Sequence, residues 1–230
     1  MIFRKAVVVI HGFAGGTYDL EYLTHRLELV RNYDVYAFTL AGHDGLFKSN
    51  MDEFDWIKSA EEMIEFLIKN KYKKIYVIGH SMGGVIASNL AVKYKEIKKI
   101  VFVSAAFKHM GLKNENFSIL EALKETPQLL KDYPKDEVFT RLIKMPLSAV
   151  KEFAHLTKEN EKNLKQIKIP ALIIQGINDV MVPPEAADFI YDELSSTNKN
   201  IVKYDDVTHD VFRSNQKDEI TKEIINFLKN

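Results

Sequence analysis

Several short runs rich in valine and isoleucine punctuate this chain: Ala6–Ile10, Val35–Thr39, Ile75–Ile78, Ile100–Ser104, Ala171–Gln175 and Ile201–Tyr204. Some are apolar at nearly every position instead of at every second one. A strand with one wet face alternates apolar and polar residues, whereas continuous apolarity suits a parallel strand covered on both faces. Between these runs the spacing becomes helical. Thr17–Val30 places Leu20, Leu23, Leu27 and Val30 on one face, and Ser49 with Asp52 gives a capping-box-like start to a helix carrying Phe54, Ile57, Ile64 and Leu67. Helical stretches also follow Met82, Pro183 and Arg213. Strands alternating with helices predict an α/β fold with a mainly parallel sheet flanked by helices.

One interval breaks the alternation. Residues 107–168 contain no convincing strand but much helical patterning, broken at Pro127, Pro134 and Pro146. A structureless loop of that size is improbable in a compact domain. The spacing therefore predicts a helical cap inserted at 107–168 into a core domain made of residues 1–106 and 169–230. At roughly 150 residues per domain, a length of 230 residues suits one domain with an insertion. The absence of cysteine excludes disulfides, thiolate catalysis and thiolate metal sites. A balance of 32 basic against 32 acidic residues argues against a nucleic-acid partner. No apolar run approaches the roughly 20 residues of a membrane helix, so no integral membrane association and a cytoplasmic location are expected.

The glycines concentrate. Nine of the ten directly follow predicted strands, with Gly111 in the insertion the exception. Ligands of open α/β sheets bind at the carboxyl ends of the strands, where tight turns and close backbone approach favour glycine. The strongest signal there is Ile75-Tyr76-Val77-Ile78-Gly79-His80-Ser81-Met82-Gly83-Gly84, a G-x-S-x-G segment between a strand and a helix. Such a turn lifts the hydroxyl of Ser81 above the sheet, and its crowding requires small residues two positions to either side. Gly79 and Gly83 satisfy that requirement.

A serine hydroxyl needs an adjacent base to become a nucleophile. In this strand–turn–helix context the base follows the serine in chain order, beyond the last strand. Of His109, His155 and His209, only His209 lies between the last strand and the last helix. His155 reads as a surface histidine of the insertion, while His109 precedes every plausible acid. A carboxylate must orient the imidazole. Asp179, in the loop Gly176–Pro183, is the choice; Asp205, Asp206 and Asp210 read as solvated loop charges. Negative charge building on a carbonyl oxygen needs backbone N–H donors. These are expected from Met82 and from Phe13, in the loop His11-Gly12-Phe13-Ala14-Gly15-Gly16 that His11 braces. Phe13, His80 and Met82 are expected to touch the substrate. Trp56 reads as helix–sheet packing.

His11-Gly12-Phe13, Ala41-Gly42-His43-Asp44-Gly45, the Gly79–Gly84 turn, the Gly176–Pro183 loop and His209 are spread across nearly the whole chain. In that order they resemble the α/β-hydrolase superfamily, and within it the small bacterial carboxylesterases and monoacylglycerol lipases. The resemblance implies a Ser81–His209–Asp179 triad, no cofactor or metal, and a helical cap over an acyl pocket. It departs from larger members in that the first strand begins by residue 5. The expected activity is a serine carboxylic-ester hydrolase acting through an acyl-enzyme on small, short- to medium-chain acyl esters or monoacylglycerols. Some apolar residues of the insertion, such as Phe117, Phe139 and Phe153, would then line the acyl cleft, although packing on the core explains their spacing as well. Thioester, amide or carbon–carbon bond hydrolysis is the alternative on the same triad, and a small-molecule sensor of the same fold is a reading from another class.

Overall fold

A computed structural model of the chain describes residues 4–43, 52–108, 112–113, 116–117 and 147–230. Six strands form one sheet: β1 (Lys5–Ile10), β2 (Tyr33–Ala37), β3 (Ile75–His80), β4 (Ile97–Val103), β7 (Ala171–Gly176) and β8 (Lys199–Tyr204). Their spatial order is β2-β1-β3-β4-β7-β8, and every neighbouring pair is parallel. The helices are α1 (Glu21–Glu28), α2 (Glu53–Lys69), α3 (Met82–Lys93), α4 (Leu147–Leu164), α5 (Glu185–Glu193) and α6 (Lys217–Lys229).

The continuous apolar runs arise because both faces of the sheet are covered. Val8, Ile10, Val77 and Phe102 face one way, into a core with Trp56, Ile64 and Leu67 of α2 and Val85 and Leu90 of α3. Their neighbours Val7, Val9, Ile78 and Val101 face the other way, onto Leu23 and Leu27 of α1 and Ile220, Ile224 and Leu228 of α6. At about 25 cal/mol per Å² of apolar surface buried, these two layers are the main favourable term of folding.

Boundaries differ from the sequence reading where packing is one-sided. β2 begins and ends two residues earlier than 35–39, because as an edge strand it follows the register of its single partner, Lys5↔Tyr33 through Val9↔Ala37. The segment read as one helix from Thr17 is a single 3-10 turn, Thr17–Leu20, followed by α1. The start of α2 is a reciprocal cap between Asp52 and Asp55. The Asp52 carboxylate accepts from the Asp55 N–H at 3.0 Å and the Asp55 carboxylate from the Asp52 N–H at 3.3 Å. Such a cap contributes about 1 kcal/mol. Ser49, read as part of that start, lies outside the described residues.

Within 107–168, expected to be free of strands, a two-residue antiparallel pairing joins β5 (Leu112–Lys113) to β6 (Asn116–Phe117). At the far end of the interval, α4 is tied to α3 through the amides of Asn160 and the half-buried Asn89. Asn160 Oδ1 accepts from Asn89 at 3.1 Å and from Asn163 at 2.7 Å. Thr157 Oγ1 donates to the carbonyl of Ala106 at 3.2 Å, so the chain comes back to the sheet where it left it. His109 lies outside the described residues.

Candidate active site

The strand order reverses between β1 and β3: the chain passes from β1 to β2 on one side, then returns to place β3 on the other. A parallel sheet opens a crevice at the carboxyl ends of such a strand pair. The loop after β1 and the turn after β3 meet there, and the loops after β7 and β8 border it.

Ser81 sits in that turn with φ 53° and ψ −122°, a conformation that costs a non-glycine residue of the order of 1–3 kcal/mol. Its surroundings over-determine it. The Ser81 N–H donates to Val103 O at 2.9 Å, and its carbonyl accepts from Gly84 at 3.0 Å and Ala106 at 3.2 Å. Glycine at 79 and 83 is a steric requirement. A Cβ on Gly79 would run into the Gly83 carbonyl, and one on Gly83 into the carbonyls of Ile10 and His11.

The loop after β1 is pressed against this turn. A Cβ on Gly12 would stand 2.9 Å from the Ser81 Cβ and 3.4 Å from its Oγ. Buried His11 braces the loop as the sequence implied: its Nε2 accepts from the Leu40 N–H at 2.9 Å, which leaves Nδ1–H to donate to the Gly12 carbonyl at 2.8 Å. Phe13, next along, stacks on Phe153 of α4 with ring centroids 5.0 Å apart, and meets Trp56 edge-on at 5.7 Å. Trp56 is fully buried, as read. Met82, the first residue of α3, is buried beside Ser81 in sequence.

The loops after β7 and β8 bring Asp179 and His209 together. His209 Nδ1–H donates to Asp179 Oδ2 at 2.8 Å, with both side chains almost wholly buried. The other carboxylate oxygen accepts from the N–H groups of Met181 at 2.9 Å and Val182 at 2.8 Å. Burial alone would push the Asp179 carboxyl up. The charge and hydrogen bond of His209 and the two backbone donors outweigh it and hold the group below its ordinary value, so it is ionised at neutral pH. Sequence reading missed the fourth donor, Gln175, whose Nε2 reaches Asp179 Oδ2 at 3.2 Å and the carbonyls of Gly176 and Val182 at 3.1 and 3.0 Å. The available signal was a polar residue closing an otherwise apolar strand.

His80 is turned away from solvent. Its Nε2–H donates to the main-chain carbonyl of His209 at 3.0 Å, and the two imidazole rings lie 4.8 Å apart. Burial lowers its pKa, reinforced by the neighbouring His209 and opposed by Asp210, the carbonyl bond and Asp19, so the ring is neutral.

Among the described residues, the other candidate acids and histidines make no hydrogen bond to Asp179. Asp205 and Asp206 are exposed, and Asp210 faces Arg213 at 3.6 Å. His155 is exposed but pairs at 2.9 Å with buried Glu53, which raises its pKa. Among the described residues, no group of three or more His, Asp or Glu could hold a metal ion. No described helix is long and apolar enough to cross a membrane.

A parallel sheet with a strained serine turn after β3 and a buried acid–histidine pair from the loops after β7 and β8 is the architecture of the α/β hydrolases. The family model described as serine aminopeptidase, S33, matches residues 3–216, and the chain belongs to that family of serine hydrolases. It is 27% identical over 234 residues to a carboxylesterase of Bacillus subtilis (strain 168), covering 98% of this chain and 92% of that protein. It is 30% identical over 201 residues to a thermostable monoacylglycerol lipase of Bacillus sp. (strain H-257), covering 86% and 79%. A solved monoacylglycerol lipase from Paleococcus ferrophilus superposes with a TM-score of 0.72 at 21% identity, over 97% of this chain and 93% of that one.

Proposed function

We propose that this chain is a serine carboxylic-ester hydrolase with Ser81 as nucleophile, His209 as general base and acid, and Asp179 as the carboxylate that orients it. The observation that carries the reading is the buried Asp179–His209 hydrogen bond, in a loop whose His209 carbonyl is held at 3.0 Å by His80, the residue before a serine in a strained strand-to-helix turn. Because Nδ1 carries the proton given to Asp179, Nε2 of His209 has the lone pair a base needs. His209 takes the Ser81 proton as Oγ adds to the ester carbonyl, and the oxyanion is received by the N–H groups of Phe13 and Met82. The carbon–oxygen bond to the alcohol then breaks, and the alcohol leaves with the proton from His209. Water repeats the sequence on the acyl-enzyme, releasing the acid and free Ser81.

The relatives named carboxylesterase and monoacylglycerol lipase favour small acyl esters or monoacylglycerols of short to medium chain as substrates. So does the stacked pair of Phe13, in the loop pressed on the serine turn, and Phe153 of α4. The reading takes residues 1–106 and 169–230 as the core and 107–168 as a cap over the acyl pocket. The family description keeps amide hydrolysis as the alternative. Turnover of p-nitrophenyl esters from acetate to laurate, a monoacylglycerol and an aminoacyl-p-nitroanilide tests both, beside Ser81→Ala. Ester turnover that vanishes in Ser81→Ala is expected. Hydrolysis of the anilide alone would replace the reading by the amide one, binding without turnover would make the chain a sensor, and full activity in Ser81→Ala would remove the site.

A further inference from the structure

We infer that His80 is a positioning residue, which fixes the backbone of His209 against the serine turn. The inference rests on the proposed triad. His80 ends β3 and immediately precedes Ser81, so whatever its ring holds is held relative to the nucleophile. That ring reaches across 129 residues of sequence to the His209 carbonyl, and the bond, at 3.0 Å, is shielded from water. Asp179 grips the imidazole of His209 at Nδ1; His80 grips the main chain from which that imidazole hangs. Without the His80 bond the loop carrying that ring is less tightly tied to the serine turn. With it, the direction of Nε2 is referred to the turn that carries Ser81.

The donor geometry asks for a flat ring bearing its N–H at the far end, since the same ring lies 4.8 Å from that of His209 at 45° between planes. The opposite nitrogen, Nδ1, has no hydrogen-bond partner among the described residues and faces Gly12, 3.4 Å from where a Cβ there would stand. His80 therefore fills the wedge shared by the serine turn, the loop after β1 and the His209 loop. Its neutrality suits that place, because a second positive ring would repel the imidazolium that His209 becomes when Ser81 attacks. Loss of the bond does not orphan its acceptor, because the His209 carbonyl also accepts from the Val211 N–H at 3.0 Å. Removing the His80 donor thus perturbs orientation more than it perturbs folding. A substrate contact, the role expected from sequence, would need the ring to face the crevice, and its donor is instead spent on protein.

The experiment compares His80→Phe, which keeps a ring but no donor, with His80→Gln, whose amide nitrogen can stand where imidazole Nε2 stood. Steady-state hydrolysis of p-nitrophenyl butyrate and thermal unfolding are measured for each. His80→Phe is expected to lower kcat about tenfold or more with KM within about twofold of the parent, since a misoriented base costs the chemical step and not ground-state binding. His80→Gln is expected to recover kcat to within about threefold of the parent. Combined with Asp179→Asn, His80→Phe should cost less than the product of the two separate losses, as groups acting through one imidazole do. Unchanged kcat in His80→Phe, a rise in KM with kcat kept, or a Gln variant as impaired as Phe would each overturn the inference. If His80→Phe does not fold, His80→Met supplies the same comparison against Gln. An inactive Ser81→Ala beside a fully active His80→Phe removes this role and leaves the triad; an active Ser81→Ala removes the triad itself.

Discussion

Replacing Asp179 by asparagine changes one atom's hydrogen-bonding sign while keeping the shape of the side chain. Oδ1 of the carboxylate accepts from two backbone N–H groups and Oδ2 accepts from His209 and Gln175, so all four donors point at oxygen. The asparagine oxygen must remain with Met181 and Val182, since turning the amide would set its NH2 against two fixed main-chain donors. Its nitrogen then faces His209. Two N–H groups cannot bond each other, so the imidazole shifts its proton to Nε2 and accepts at Nδ1. Gln175 cannot relieve the conflict, because its amide nitrogen is anchored to the carbonyls of Gly176 and Val182. With Nε2 protonated, His209 no longer has the lone pair that removes the Ser81 proton. A wrong-tautomer base of this kind lowers kcat by about 10³- to 10⁴-fold, equivalent to about 4–5.5 kcal/mol of transition-state stabilisation. The assay is p-nitrophenyl butyrate hydrolysis at pH 7.5, with KM followed separately and circular dichroism showing that the variant is folded. KM should stay within about threefold, because Asp179 contacts no substrate in this scheme. A folded Asp179→Asn that keeps a tenth or more of the parental kcat refutes the assignment of the orienting carboxylate.

Two other perturbations probe the same framework. Gly12→Ala puts a methyl 2.9 Å from the Ser81 Cβ, so the loop or the turn must move. Unfolding free energy in urea should fall by about 1–3 kcal/mol and kcat by about a hundredfold for each ångström of displacement; parental values for both would show that the approach of the two segments is not functional. The lowered pKa of Asp179 sets a pH dependence of stability. Its folded value lies below the unfolded one of about 3.9, so the stabilisation is complete above that pH and is lost as pH falls through the folded value. The difference in melting temperature between parent and Asp179→Asn should therefore narrow below about pH 4, and a difference that stays constant down to pH 3 contradicts the shift.

The inner strands were legible because a run such as Ala6–Ile10 must be apolar on both faces, and that demand is written residue by residue. β2 was displaced in the reading because an edge strand, covered less, takes its limits from its neighbour's register, which no local spacing encodes. Asp179 and His209 could be chosen because chain order and loop position narrow the candidates. Gln175 carried its own signal, a lone amide ending an apolar strand, and went unused. The bond from His80 to the His209 carbonyl had none, since it is made by two segments whose proximity exists only after the sheet has formed. The stacking of Phe13 on Phe153 is of the same kind: each aromatic residue is visible, their meeting is not.

The hydrogen bond from Thr157 to Ala106 has a consequence for the history such a chain can have. It gives the segment between them fixed points of departure and return, both secured to the sheet and α3. By chain entropy, joining two fixed ends costs only about 0.6 kcal/mol more for each doubling of the connection's length. Changes of length between Phe107 and the core residues Ala149, Phe153 and Leu156 of α4 therefore tax the framework little by closure entropy alone. Descendants of one ancestral sheet could then diverge in what they accept while inheriting the same serine turn unchanged.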